Sequence, residues 1–334
     1  MSSTIRIAIN GFGRIGRNLF RLLIDHPDIE VIAINDLADT KTLSHLLKYD
    51  SIHGVLHKEV KYTENEILVD NKNFKFFQFN KPEDCPWKEL NIDFVVEATG
   101  KFKSYDEAHG HITAGAKKVI LSAPPSDDRI KTVVLGVNQH LLTGSELIIS
   151  NASCTTNNAA PMIKVINDIC GIEQAYITTV HSYTTDQSLH DQPHRDLRRA
   201  RAASQSIVPT TTGAAKALTK IFPELSDVIG GCGIRVPVPD GSLTDITLNV
   251  KKETSIEKIN GAFKEASETY LNGILAYTED PIVSIDIIGN PHSCIFDGLM
   301  TSVIGKMVKI IGWYDNEIGY SHRIIDLIIN ICKK

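Results

Sequence analysis

The sequence predicts an α/β protein: a doubly wound parallel sheet in the first half, then an α+β domain on a mostly antiparallel sheet. Length, strand patterning and a change of pattern near residue 150 carry that expectation. A chain of 334 residues exceeds what one hydrophobic core usually supports, so two domains of roughly 100–200 residues each are expected. In the first half, short β-branched runs at 5–9, 31–34, 94–96, 119–121, 133–135 and 147–149 alternate with Gly- or Asn-containing turns and helical or polar stretches. Uninterrupted apolar strands joined by crossovers belong to a parallel sheet covered on both faces. The second half carries longer strand-like runs at 171–181, 231–239, 243–250 and 282–288. In "TDITLNVK", Ile246, Leu248 and Val250 alternate with polar positions, the mark of a strand with one wet face, as in an antiparallel sheet. The closing "HRIIDLIINICKK" returns to helical spacing through Ile324, Ile325, Ile328, Ile329 and Cys332.

Composition excludes several classes of function. With 42% hydrophobic and 22% charged residues the chain is ordinary for a globular protein, and a net charge of −5 supplies no general attraction for nucleic acid or anionic membrane. Neither is expected as a primary partner. The opening "MSSTIRIAIN" lacks the apolar segment of a signal peptide, and no stretch approaches the ~20 apolar residues that span a bilayer, so a cytoplasmic location is expected. Six cysteines, at 85, 154, 170, 232, 294 and 332, form no CxxC pair and have no close His partners. That argues against a disulfide framework and a zinc site, and no metal is expected.

The segment "IRIAINGFGRIGRNLFRLL" places Gly11-x-Gly13-x-x-Gly16 directly after an apolar strand. Ile15, Leu19, Leu22 and Leu23 follow at i, i+4, i+7 and i+8, so the last glycine opens an amphipathic helix. In that context the glycines allow a tight turn, and the free amides at the helix N-terminus favour a pyrophosphate. Gly11, Phe12, Gly13, Arg14, Ile15 and Gly16 are therefore candidate cofactor contacts in a Rossmann domain. Twenty residues beyond Gly16, Asp36 ends the second strand in "AINDLADT", where such folds hold an acid against the ribose hydroxyls. A carboxylate there repels a 2′-phosphate, so the expected cofactor is NAD.

A second motif lies at the change of pattern. In "SNASCTTNNAAP", Cys154 stands among small, hydroxylated and amide residues, directly after the apolar run 147–149. Ala160, Ile163, Ile166 and Ile169 follow at helical spacing, with Pro161 accommodated by a kink or a late helix start. A cysteine at a helix N-terminus is expected to have a lowered thiol pKa. On this segment alone, a buried inert cysteine between Ser153 and Thr155 explains the residues equally well. His181, ending the apolar run in "ITTVHSYTTDQ", is a candidate general base for that cysteine. Arg195, Arg198, Arg199 and Arg201 cluster in "HRDLRRARAAS", where a solvated or subunit-facing surface accounts for most of them. Arg235, isolated in the apolar "GCGIRVPVP", says more, because a buried guanidinium needs an anion. With "TTTGAAKAL" offering hydroxyls and a glycine before a helix, a phosphate-bearing substrate is expected.

Taken in order and spacing, "INGFGRIGRN", "SNASCTTN", "TTVHSYT", "PTTTGAAKAL", "RVPVP" and "WYDNEIGYS" resemble the phosphorylating glyceraldehyde-3-phosphate dehydrogenase family over essentially the whole chain. The resemblance implies that Cys154 attacks an aldehyde, that His181 accepts the proton as hydride passes to NAD, and that inorganic phosphate cleaves the thioester. It implies that Thr184 and Arg235, with Asp186 nearby, bind the phosphate of glyceraldehyde 3-phosphate. Ser153, Thr155, Thr212, Gly213 and Arg199 match its inorganic-phosphate site. Asn316 matches the residue holding the nicotinamide carboxamide, and Ser122 and Tyr320 are further implied cofactor contacts. Also implied are a homotetramer, with the polar segment near 182–206 between subunits, and a C-terminal helix returning to the NAD-binding domain. The expected division is thus 1–152 for NAD, 153–318 for catalysis and 319–334 for that helix.

The sequence departs from the family pattern at four places. Asn158 stands where a second cysteine is frequent, Asp240-Gly241 where many members have Asn-Val, and Ile318 where tryptophan is frequent. Gln192 precedes Pro193 where NAD-specific members often have leucine. One competing reading is an erythrose-4-phosphate dehydrogenase, a similar enzyme that usually lacks the threonine retained here as Thr184. Another is a protein of the same fold with an added role in binding RNA or a partner through its basic segment. Cys154, His181, Arg235 and Asn316 together favour retained catalysis.

Overall fold

Strand pairing in the computed structural model, which describes residues 4–333, sorts the chain into two large sheets. The first three residues, part of the N-terminal stretch in which no signal peptide is expected, lie outside the described residues. One compact unit holds the residues up to Val133, His140–Ala152 and the stretch from Ser321; the other holds Val134–Gln139 and Ser153–Tyr320.

In the first unit, nine strands lie in the order 131–132, 148–150, 118–121, 94–97, 5–10, 29–35, 72–77, 66–69, 60–62. The central strands are buried on both faces, as in Phe94–Glu97, where every residue is buried. Continuous apolar composition is what such a position requires. The helix Arg14–Leu23 follows the first strand and buries Leu19, Phe20 and Leu23. Two corrections apply to the sequence reading. The sheet is mixed, because Val60–Tyr62 and Glu66–Val69 form an antiparallel edge on Lys72–Phe77. Their short, charged runs carry no strand signal in the sequence because an edge strand is half solvated. The run at 133–135 is not a strand: the ladder residues are Lys131–Thr132, and the Val134 amide is instead bound by the Asn138 side chain at 2.7 Å, closing a turn.

The second unit is built on strands in the order 208–210, 229–236, 172–182, 242–250, 307–314, 294–297, 275–278, with 302–304 pairing on 307–314. Most pairs are antiparallel; 172–182 with 229–236 and 275–278 with 294–297 are parallel. The expected strand at 282–288 is a short 3-10 turn, Ser284–Ile287. Asp286 closes it, accepting from the Val283 amide at 2.8 Å, and Ile285 faces solvent. The helix Cys154–Cys170 starts at the cysteine and carries Pro161 inside it, and the last helix runs Ile318–Cys332. Among the described residues, no helix is long and apolar enough to cross a membrane.

Candidate active site

The dinucleotide turn is built as its glycines require. Gly11 has φ +96, in the left-handed region, and a Cβ there would lie 2.7 Å from the Thr99 amide nitrogen. A Cβ on Gly16 would lie 2.1 Å from the Gly11 carbonyl oxygen. Gly13 is exposed and serves as the N-cap of the helix Arg14–Leu23 with no side-chain cap hydrogen bond, and a helix N-terminus of this kind favours an anion. The Asp36 carboxylate accepts from the Phe12 amide at 2.7 Å and the Ala38 amide at 2.9 Å, tying the turn to the end of the second strand. These features fit a dinucleotide pyrophosphate and ribose.

Not every candidate contact offers its side chain. Phe12 is fully buried and packs edge-on to Phe20 at 5.5 Å, so its backbone alone faces the turn. The Arg14 guanidinium is engaged by Asp50 at 2.5 Å, which with the amides of Ile52 and His53 holds that carboxyl far below the usual range despite its partial burial. Ile15 and Ser122 are half-buried, and the Ser122 amide donates to the Glu97 carbonyl at 3.0 Å.

In the second unit the nucleophile candidate heads its helix. Ser153 is the N-cap, its Oγ accepting from the Thr156 amide at 3.1 Å. Ala152, just before it, has φ +56, a left-handed conformation that aims the cap. Cys154 Sγ lies 3.4 Å from His181 Nε2. His181 Nδ1 lies 2.8 Å from the Ser182 carbonyl; the tautomer that donates there turns the Nε2 lone pair to the thiol, whereas the one that accepts from Arg235 puts the proton on Nε2. Arg235 Nη1 also donates to that carbonyl at 2.9 Å and lies 2.5 Å from Nδ1. Burial first, and the Arg235 charge second, push the imidazole down to about 3, so the base is uncharged near neutrality. The expectation for the thiol is reversed: burial pushes Cys154 up, outweighing the Arg235 charge and the Thr155 amide that draw it down.

Three residues around this pair escaped sequence reading. Tyr314 Oη bridges Thr155 Oγ1 and Thr179 Oγ1, both at 2.9 Å, and its ring stands edge-on to His181 at 5.9 Å. Ser182 and Ser242 both donate to Asn316 Oδ1, at 2.9 and 2.7 Å, which fixes the orientation of that amide. Tyr314 and Ser182 lie inside the quoted "WYDNEIGYS" and "TTVHSYT", but Ser242 lies in none of the quoted motifs. Tyr320 is buried at the other end of that segment.

The anion candidates come together through sheet register. His181 and Arg235 are paired residues on adjacent parallel strands, and Val208 pairs with Arg235 from the other side. Arg199 Nε donates to Thr210 Oγ1 at 2.9 Å and Nη2 to the Thr211 carbonyl at 3.3 Å, which sets the guanidinium beside Thr212 and Gly213. Thr212 Oγ1 accepts from the Ala214 amide at 3.2 Å, and exposed Gly213 caps the helix Ala214–Ile221. Asp186 and Arg199, assigned to different phosphate sites by the sequence reading, form one ion pair. Thr184 is half-buried, two residues past the strand that carries His181.

Comparison with known proteins agrees with this geometry. Residues 5–105 match the NAD binding domain of glyceraldehyde 3-phosphate dehydrogenase, and residues 153–316 match its C-terminal domain. An NAD-binding Rossmann unit joined to that second domain defines an NAD-dependent oxidoreductase. Relatives include glyceraldehyde-3-phosphate dehydrogenase 2 of Streptomyces avermitilis, 54% identical over 329 residues and 98% of each chain. The Geobacillus stearothermophilus enzyme is 51% identical over 332 residues, 99% of each chain, and that of Thermotoga maritima 54% over 324 residues, 96% of this chain and 97% of its own. The chain belongs to the glyceraldehyde-3-phosphate dehydrogenase family.

Proposed function

We propose that this chain oxidises glyceraldehyde 3-phosphate with NAD and inorganic phosphate to 1,3-bisphosphoglycerate, through a thioester on Cys154, in glycolysis and gluconeogenesis. The observation that carries the mechanism is the 3.4 Å approach of Cys154 Sγ to the Nε2 of an uncharged His181 beside Arg235. Sγ bonds to the aldehyde carbon while Nε2 accepts the thiol proton and returns it to the carbonyl oxygen, giving a thiohemiacetal. The amide of Cys154 and His181 hold the developing oxyanion. The glycine turn, Asp36, Ser122, Asn316 and Tyr320 are the residues that would hold NAD, which when bound would supply the acceptor for the hydride of the former aldehyde carbon. His181 takes the hydroxyl proton in the same step, leaving the thioester. A phosphate oxygen, with the anion held by Ser153, Thr155, Thr212, Gly213 and Arg199, then bonds to the acyl carbon as the C–S bond breaks. Thr184 and Arg235 hold the substrate's own phosphate, with Asp186 setting Arg199 through their ion pair.

Residues up to 152, with the helix from 319, serve as the NAD-binding domain and 153–318 as the catalytic domain; the grouping of the stretch from Ser321 with the first unit supports this division. The protein works as a cytoplasmic homotetramer. Leu189, Leu197 and Ile207, 68%, 82% and 69% exposed in the single chain, supply apolar surface for a subunit interface in and beside the 182–206 segment.

Initial rates of NADH formation with glyceraldehyde 3-phosphate or erythrose 4-phosphate, each with and without inorganic phosphate, test the reaction, with NADP in parallel. Phosphate-dependent NAD reduction with the triose is expected. Preference for the tetrose without phosphate dependence, or equal efficiency with NADP, overturns this reading.

A further inference from the structure

A fully buried polar cluster underlies the dinucleotide turn, and the chemistry proposed above makes no use of it. Glu97, His111, Asn10 and Trp87 are 3%, 0%, 2% and 0% exposed. Glu97 ends the strand Phe94–Glu97, in register with Asn10 on one side and Leu121 on the other, at the C-terminal edge where open α/β sheets bind ligands. One carboxylate oxygen accepts from Asn10 Nδ2 at 2.5 Å and faces His111 Nε2 at 3.2 Å. The other accepts from the Thr99 amide at 2.8 Å and from the Thr99 hydroxyl. Trp87 Nε1 approaches His111 Nδ1 at 3.0 Å; an indole N–H only donates, so Nδ1 accepts and Nε2 carries the proton given to Glu97.

The cluster reaches the cofactor turn by two routes. Thr99, held at both its amide and hydroxyl, is the residue whose backbone packs against Gly11 so closely that a Cβ would collide with it. On the other side, Asn10 Oδ1 accepts from Asn35 Nδ2 at 2.7 Å, and Asn35 clamps the Phe79 backbone at 2.8 and 2.9 Å while preceding Asp36. A buried charge of this kind is a poor source of stability, since an apolar packing of equal volume often serves as well or better. What it supplies is direction: each carboxylate oxygen is committed to a different strand or loop.

Resting on the NAD-binding reading, we propose that Glu97 and His111 are positioning residues for the cofactor: the buried carboxylate–imidazole pair locks Thr99 against the glycine turn and thereby sets affinity for NAD. Loss of a buried hydrogen bond at this site weakens NAD binding about 10-fold.

Calorimetric NAD titration of the full chain, with turnover at saturating NAD and a thermal midpoint for each variant, tests this. Glu97→Gln places an amide donor where two sets of donors converge, and Thr99→Val keeps the shape of threonine without its hydroxyl. Both are expected to raise the NAD dissociation constant about 10-fold with turnover at saturation unchanged, while Thr99→Ser binds as the wild type does. Thr99 is half-buried, so that pair carries the test if Glu97→Gln does not fold. Wild-type affinity in Thr99→Val and in any folded Glu97→Gln, with only the thermal midpoint lowered, reduces the cluster to a structural element and overturns the proposal. A fall in turnover at saturation equal to the loss of affinity overturns it also. Absence of NAD binding by the wild type is a different result, which removes the cofactor reading itself.

Discussion

At Cys154 and His181 the roles rest on a thiol that burial pushes up and an imidazole that burial pushes down, so that both favour the uncharged form. Cys154→Ser is expected to abolish NADH formation, and His181→Asn to lower turnover by roughly 10²- to 10⁴-fold, the scale of a positioned acid–base group. Wild-type turnover in either variant removes that residue's role. Arg235→Ala is expected to raise the KM for the triose phosphate and lower turnover, because lost phosphate binding also loses alignment. An unchanged KM sinks that assignment. Asp240 gives a pH prediction. Burial first, then the charges of Asp315 and Glu317, push its carboxyl up to about 8. A carboxyl raised in the folded state contributes stability that is complete below its unfolded pKa of about 4 and is lost as pH rises through about 8. Asp240→Asn is therefore expected to raise the thermal midpoint by an amount that grows as pH rises from about 4 to about 8 and then levels off. Parallel midpoint curves for the two proteins contradict this.

At the scale of elements, the helix Cys154–Cys170 shows how one segment serves both chemistry and packing. Its N-terminus presents Ser153, Cys154 and Thr155, while Asn158, fully buried one turn on, donates to the Ser293 and Trp313 carbonyls at 3.3 and 3.2 Å. Asn158 thus joins the helix to the sheet beneath it, a role a thiol fills poorly. Asn158→Cys is expected to cost about 1–3 kcal/mol of stability in denaturant unfolding, because the buried Ser293 carbonyl and the half-buried Trp313 carbonyl each lose a donor. Turnover stays at the wild-type level, since none of the asparagine's hydrogen bonds reaches Cys154 or His181. An unfolding midpoint equal to the wild type's argues that the carbonyls find other donors. Pro161 removes one amide from the helix ladder, yet the helix continues to Cys170, its ten residues at 157–166 almost wholly buried. Tertiary packing holds a segment that propensity alone would interrupt.

For the whole molecule, the apolar side chains left exposed between Leu189 and Ile207 predict association. Sedimentation equilibrium is expected to return a mass about four times 36.9 kDa. A monomer at micromolar concentration rules out the tetramer. Replacing Leu197, the most exposed of the three, with a charged residue is expected to weaken assembly while leaving each chain's own fold intact, because the side chain touches little of its own core.

Much of the architecture was legible because its signals are local. A strand, a glycine turn and an amphipathic helix within about twenty residues announce a dinucleotide site, since backbone conformation over such a span is set by sterics and hydrophobic period. The same holds for Cys154 after an apolar strand and before a helix. Short edge strands at 60–69 were missed, and 133–135 and 282–288 were read as strands, because apolar content alone does not say whether a run pairs in a ladder or closes a turn. Only the tertiary structure decided what depends on distance between remote residues: the 3.4 Å meeting of Cys154 with His181, 27 positions apart, and the ion pair that joins Asp186 to Arg199. It also decided the direction of the thiol shift, which the helix terminus argued one way and burial the other. Glu97 and His111, unremarkable in sequence, became a buried pair beneath the cofactor turn for the same reason. Propensity acts along the chain over a few residues, whereas register and desolvation are properties of strands brought side by side, and no local stretch contains them.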